Sequence, residues 1–204
     1  MNLLSKRDGI FKSAHQALLK PAGFVLRSSR SVHHRTPLHR AVVLASQPTD
    51  TQQIVDFDMM IIVAHDEFNP HCSLGVKPGL AQRNDALLNW GLRAMAGPSA
   101  PYWSLREGDD AEVIQAHVFE AIQKFALPIL AQCETLQGLV EAHAARGFHN
   151  YRASSWLLNR LGQRDEAVQV IQMAVARAPH EKSREKTVEF LKNFMAEAKD
   201  ATKR

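Results

Sequence analysis

The chain has 204 residues, 45% hydrophobic and 23% charged, with a formal net charge of +4 and a pI near 9.2. That length and composition suit a moderate core, and no apolar run approaches the roughly 20 residues of a membrane-spanning helix. Lys6, Arg7 and Asp8 break up MNLLSKRDGIFKS before an apolar leader can form, and Cys72 and Cys133 fit a reduced compartment, so a cytoplasmic protein is expected.

Ile10, Phe11, Ala14, Ala17 and Leu18 recur at helical spacing, which predicts a first helix over about 7–19, ended by Lys20-Pro21-Ala22-Gly23. Phe24 to Arg30 alternates as a first strand, and Ser31 to Pro37 reads as a polar turn. Leu38 to Gln47 is a second strand, followed by a turn at Pro48-Thr49-Asp50. Ile54 to Asp66, IVDFDMMIIVAHD, is the most apolar stretch and alternates with a period of two. Val55, Phe57, Met59, Ile61 and Val63 share one face, and Asp56, Asp58, Met60, Ile62 and Ala64 share the other. Three strands joined by short turns predict an antiparallel meander with the first helix packed on one face.

Asn69 to Gly79 reads as loop, and Leu87, Leu88, Leu92 and Met95 predict a helix over about 84–96. Tyr102 to Leu105 is a candidate fourth strand. Asp109 and Asp110 cap a helix running to about Ala126, and Pro128 restarts a helix that runs to about Ala145. The predicted fold is α+β: an antiparallel sheet of three to four strands with packed helices over 1–135, then a helical extension over 136–204.

Two groups of residues carry resemblances. The first helix leading into Leu19-Lys20-Pro21-Ala22-Gly23-Phe24, the strands, and Trp103-Ser104-Leu105 before a helix ending Phe125-Ala126-Leu127-Pro128-Ile129-Leu130 resemble the bacterial family called domain of unknown function 4304. The resemblance covers about residues 8–135 and implies an α+β fold without transferring a catalytic residue. Gly162, Asp165-Glu166-Ala167, Ile171, Ala174 and Pro179 resemble the second half of a tetratricopeptide repeat, within about 148–181. Tyr151 matches the repeat's first helix, whereas Ser154 and Ser155 depart from it. Such a unit packs as a helical hairpin or scaffolds another protein, and one repeat is short of the about three that form a peptide groove. A final amphipathic helix is expected over 183–198, with a solvated tail after it.

Charge is unevenly distributed. Between Lys6 and Arg40 eight basic residues face one acid, Asp8, whereas from Ala41 to Val76 the charged residues are Asp50, Asp56, Asp58, Asp66 and Glu67. His65, Asp66, Glu67, His71 and Cys72 can all ligate metal, yet their spacing matches no zinc pattern. His33, His34 and His39 flank a turn and read as surface polar residues. Phosphate loops and serine-hydrolase elbows are lacking, so neither catalytic residues nor a metal or cofactor is expected. The leading expectation is a non-catalytic protein-binding module, an immunity-type protein that neutralises a toxin or effector. Asp56, Asp58, Asp66 and Glu67 are its expected contact residues, because no Lys or Arg neighbours them in sequence. A metal-dependent or acid–base hydrolase around His65, Asp66 and Glu67, and a nucleic-acid binder using the basic segment, are the alternatives.

Overall fold

The computed structural model describes residues 2–35, 37–46, 53–68, 86–96 and 103–201. The chain divides into two compact units, Met1–Glu134 and Thr135–Arg204. The first is α+β with an antiparallel sheet, and the second is helical.

In the first unit Asn2 caps α1 (Leu3–Ala14) by accepting the Leu4 N–H at 2.8 Å, and a π-helical segment (His15–Leu19) continues it. The strands β1 (Val25–Arg27), β2 (Arg30–Arg35), β3 (Leu38–Ser46), β4 (Ile54–His65) and β5 (Leu88–Gly91) follow one another across the sheet. A sixth, β6 (Trp103–Arg106), joins it beside β4. All pairs are antiparallel. The six strands among the described residues exceed the three to four expected.

The added strands come from two places. Phe24 to Arg30 is two strands with a tight turn at Ser28-Ser29, where Ser28 takes φ 55°. The supposed turn after it, Ser31 to Arg35, lies within β2. Its polar residues are admitted because they are bonded: the buried Ser31 hydroxyl lies 2.8 Å from His15 Nδ1. The expected helix at 84–96 is a strand for Leu88 to Gly91 and a helix, α2 (Leu92–Ala96), only afterwards. Leucine spacing suits a helix there, but pairing of Leu88–Gly91 with Met60–Val63 prevails, and Gly91 is a poor helix former.

β4 is the central strand. β3 lines its whole length on one edge, while β5 pairs with Met60–Val63 and β6 with Ile54–Phe57 on the other. Register places Ser31, Arg40, Val42, Leu44, Phe57, Met59, Ile61 and Leu105 on one face. The end of the first helix reaches this face through His15 and Ser31. The opposite face holds a cluster of Val32, Ala41, Ile62, Ala64 and Ala86, with Val43 and Met60 against it.

After β6, Asp110 caps α3 (Ala111–Ala121) by accepting the Glu112 N–H at 2.8 Å. A π-helical segment (Ile122–Ala126) leads into α4 (Leu127–Gln132), with Pro128 in its first turn. The helix expected to continue to Ala145 stops here. Thr135 starts α5 (Leu136–Ala144) by accepting the Gly138 N–H at 3.0 Å. In the second unit Asn150 caps α6 (Tyr151–Arg160), and Gly162, at φ 78°, turns the chain into α7 (Arg164–Ala176). Ala153, Ser154, Ser155, Ala167 and Ile171 are fully buried where small side chains let helices approach. The serine hydroxyls donate to their own helix, Ser154 to Asn150 O at 2.8 Å and Ser155 to Arg152 O at 3.2 Å. The last helix is α8 (Glu181–Ala201), whose Phe190 meets Tyr151 edge-on at 5.4 Å. No helix among the described residues is long and apolar enough to cross a membrane.

Candidate functional site

The four acids expected to form one contact surface are divided by β4 into two pairs. At about 3.3 Å per strand residue, Asp56 and Asp66 stand roughly 30 Å apart. At the amino-terminal end, Ser104 Oγ, directly across from Asp56 on β6, donates to Asp56 Oδ1. Asp58 is 8% exposed, buried where the expectation of a contact residue needs an accessible side chain. It sits over Gly91: a Cβ at Gly91 would meet Asp58 Oδ2 at 2.5 Å, so the glycine makes room for the carboxylate. Asp58 Oδ1 accepts the Met59 N–H at 2.7 Å and the Arg93 N–H at 3.4 Å. Burial nonetheless raises its pKa, against those N–H groups and the Arg93 charge.

At the other end, Asp66 and Glu67 are exposed. His39 Nε2–H donates to Asp66 Oδ1 at 2.7 Å, and His39 Nδ1 lies 3.3 Å from His34 Nδ1. His34 and His39 are register partners across the β2–β3 hairpin, so both point to one face. Desolvation lowers the His34 pKa, followed by the charges of His39, Arg27 and His33. His65 instead lies on the other face, buried, with Nδ1 accepting the Glu67 N–H at 3.1 Å. His65 and the Asp66 carboxylate thus turn to different faces of the sheet, against the convergence that the hydrolase alternative requires. His71 and Cys72 lie outside the described residues, and among those described no three His, Cys, Asp or Glu side chains form a metal cage.

Arg40 is the functional-looking residue that sequence reasoning passed over. Though buried, it donates from Nη1 to Leu130 O at 2.6 Å and to Glu134 Oε1 at 2.8 Å, with Phe24 under its guanidinium at 5.9 Å. Its Nη2 lies 3.3 Å from His33 Nδ1. Burial, then the Arg40 charge, lowers the His33 pKa. Burial pushes the nearby Cys133 thiol up to about 12. A basic residue counted towards a nucleic-acid surface is thus bound to α4 from within the fold. Arg7 likewise meets Asp8, at 2.8 Å.

No protein-family model, no curated protein and no solved structure matches this chain.

Proposed function

We propose that the chain is a non-catalytic protein-binding module, and more finely an immunity-type member of the domain-of-unknown-function 4304 family that neutralises a basic toxin or effector in the cytoplasm. The observation that carries this reading is the exposed pair Asp66 and Glu67 at the end of β4. The two acids sit in the turn that follows β4, where the Asp66 N–H donates to Pro37 O at 3.1 Å and the Glu67 N–H donates to His65 Nδ1 at 3.1 Å, so their backbone needs little ordering when a partner arrives. Acids presented in this way favour a basic surface, speed association and fix register. Asp56 is a lesser contributor because it is half-buried, and Asp58 lies too deep for a partner to reach.

The test is affinity purification of the full chain from its source cells, followed by kinetics on the recovered complex. A basic protein recovered stoichiometrically, with association slowed by Asp66→Lys and Glu67→Lys most at low salt, supports the reading. The absence of a stoichiometric protein partner, or association unchanged in both variants, overturns it.

A further inference from the structure

We propose that His34 and His39 form a site for a divalent transition-metal ion such as zinc, with Asp66 orienting His39 from behind. This goes beyond the protein-binding reading and departs from the expectation that no metal is held.

Three observations converge on it. The first is separation: two imidazole nitrogens on one ion, each at about 2.1 Å and a near-tetrahedral angle, lie about 3.4 Å apart. The Nδ1 atoms of His34 and His39 lie 3.3 Å apart. The second is the carboxylate. Histidines that ligate metal commonly donate the other ring N–H to a carboxylate, which fixes the tautomer. Asp66 Oδ1 accepts from His39 Nε2–H at 2.7 Å, so the neutral His39 ring keeps its lone pair on Nδ1, facing His34. The third is support. Both histidines extend from paired strands, and the side chain of His39 is only 13% exposed while that of Asp66 is 46% exposed. One ligand is held by the fold; without an ion His34 Nδ1–H donates to His39 Nδ1, and on metal binding that proton leaves His34 Nδ1 for Nε2 while the exposed ring turns so that both lone pairs meet on the ion.

Imidazole selects zinc, copper and nickel over calcium or magnesium. Two protein nitrogens leave the remaining positions to water, so the site is open.

The chain carries ten histidines, so the experiment reads differences between variants. Zn2+ is titrated into the full chain at neutral pH and followed by calorimetry and thermal melting. The wild type should bind with a step that His34→Ala and His39→Ala each remove, and Zn2+ should raise its melting temperature by mass action. Asp66→Asn should retain the step but weaken it about 10- to 100-fold. His34→Gln, at an exposed position, supplies a folded control should His39→Ala unfold. Titrations that coincide for the wild type and either His34 variant, an Asp66→Asn affinity equal to that of the wild type, or no Zn2+ binding at all would each overturn the proposal.

Discussion

On one face of β4, Val55, Phe57, Met59, Ile61 and Val63 are each at most 1% exposed. On the other, Asp56, Met60 and Ile54 are half-buried, Asp58 is a buried carboxyl, and small residues such as Ala41 and Ala64 fill the centre. Register also places His34, His39 and Ser104 on this second face. Polar groups do reach the first face, but each is tied down: Ser31 to His15, Arg40 to Leu130 and Glu134. The sheet thus presents one face packed with large side chains and a second face that carries the aspartates of β4 and the imidazoles of His34 on β2 and His39 on β3. The same alternation that makes a core makes room for chemistry on the reverse side, because successive residues cannot share a face.

The contrast is tested most severely at Phe57, which is fully buried and packs against Trp103 with ring centroids 5.7 Å apart. Phe57→Ala should cost about 3–5 kcal/mol in urea denaturation. A loss below about 1 kcal/mol would mean that the first face is not the main source of stability. On the second face Gly91→Ala should cost about 1–3 kcal/mol, because the new methyl presses on Asp58 Oδ2. Adding Asp58→Ala should recover much of that loss. Strict additivity of the two substitutions would show that the carboxylate does not occupy the space above Gly91.

Asp58 also gives the second face a pH dependence of known sign. Burial raises its pKa above the ordinary 3.8, so the folded chain holds this proton more tightly than the unfolded chain does. Its contribution to stability is therefore present at low pH and declines as pH rises from about 3.8 through the raised value. Asp58→Asn keeps an oxygen for the Met59 and Arg93 N–H groups and removes the charge. The stability of Asp58→Asn relative to the wild type should rise across that window and stay constant above it. A difference that is flat from pH 3 to 7 would contradict the buried charge.

Cys133 offers a chemical check near Arg40. A buried thiol with its pKa raised to about 12 is almost wholly protonated at pH 8 and shielded from reagent. Iodoacetamide should leave it unmodified in the native protein and alkylate it after denaturation, as read by peptide mass spectrometry. Rapid native alkylation would show that the packing around Arg40 opens readily.

The α+β class and the central strand were legible because β4 alternates apolar residues without interruption, a pattern that tertiary context reinforces. β2 was less so, since Ser31, His33 and His34 look like turn residues until their partners on the first helix and β3 are known. Likewise the leucines around Leu88 satisfy both a helical and a strand reading, and only pairing with β4 decides between them. The burial of Asp58 was illegible for a related reason. The absence of Lys and Arg near Asp58 in sequence says nothing of the backbone N–H groups that approach it in space. The His34 and His39 pair did leave a trace, because two histidines placed symmetrically about Thr36-Pro37 become neighbours once a hairpin forms.

The smallest effect on stability is expected at Glu67, and it bears most directly on function. Glu67 lies in the exposed turn that follows β4, and its backbone N–H donates to His65 Nδ1 at 3.1 Å. Reversing the side-chain charge with Glu67→Lys therefore leaves that bond in place, and stability should change by no more than about 0.5 kcal/mol. If the exposed acids meet a basic partner, the same change should slow association, with the deficit shrinking as salt screens the field over about 10 Å at 0.1 M. Melting temperature and association rate measured on one variant separate the two faces cleanly. A large stability loss would place Glu67 in the structural framework with Phe57. Unchanged stability together with an unchanged association rate would leave the acidic end of β4 without a part in binding, and the partner would have to be sought on another surface.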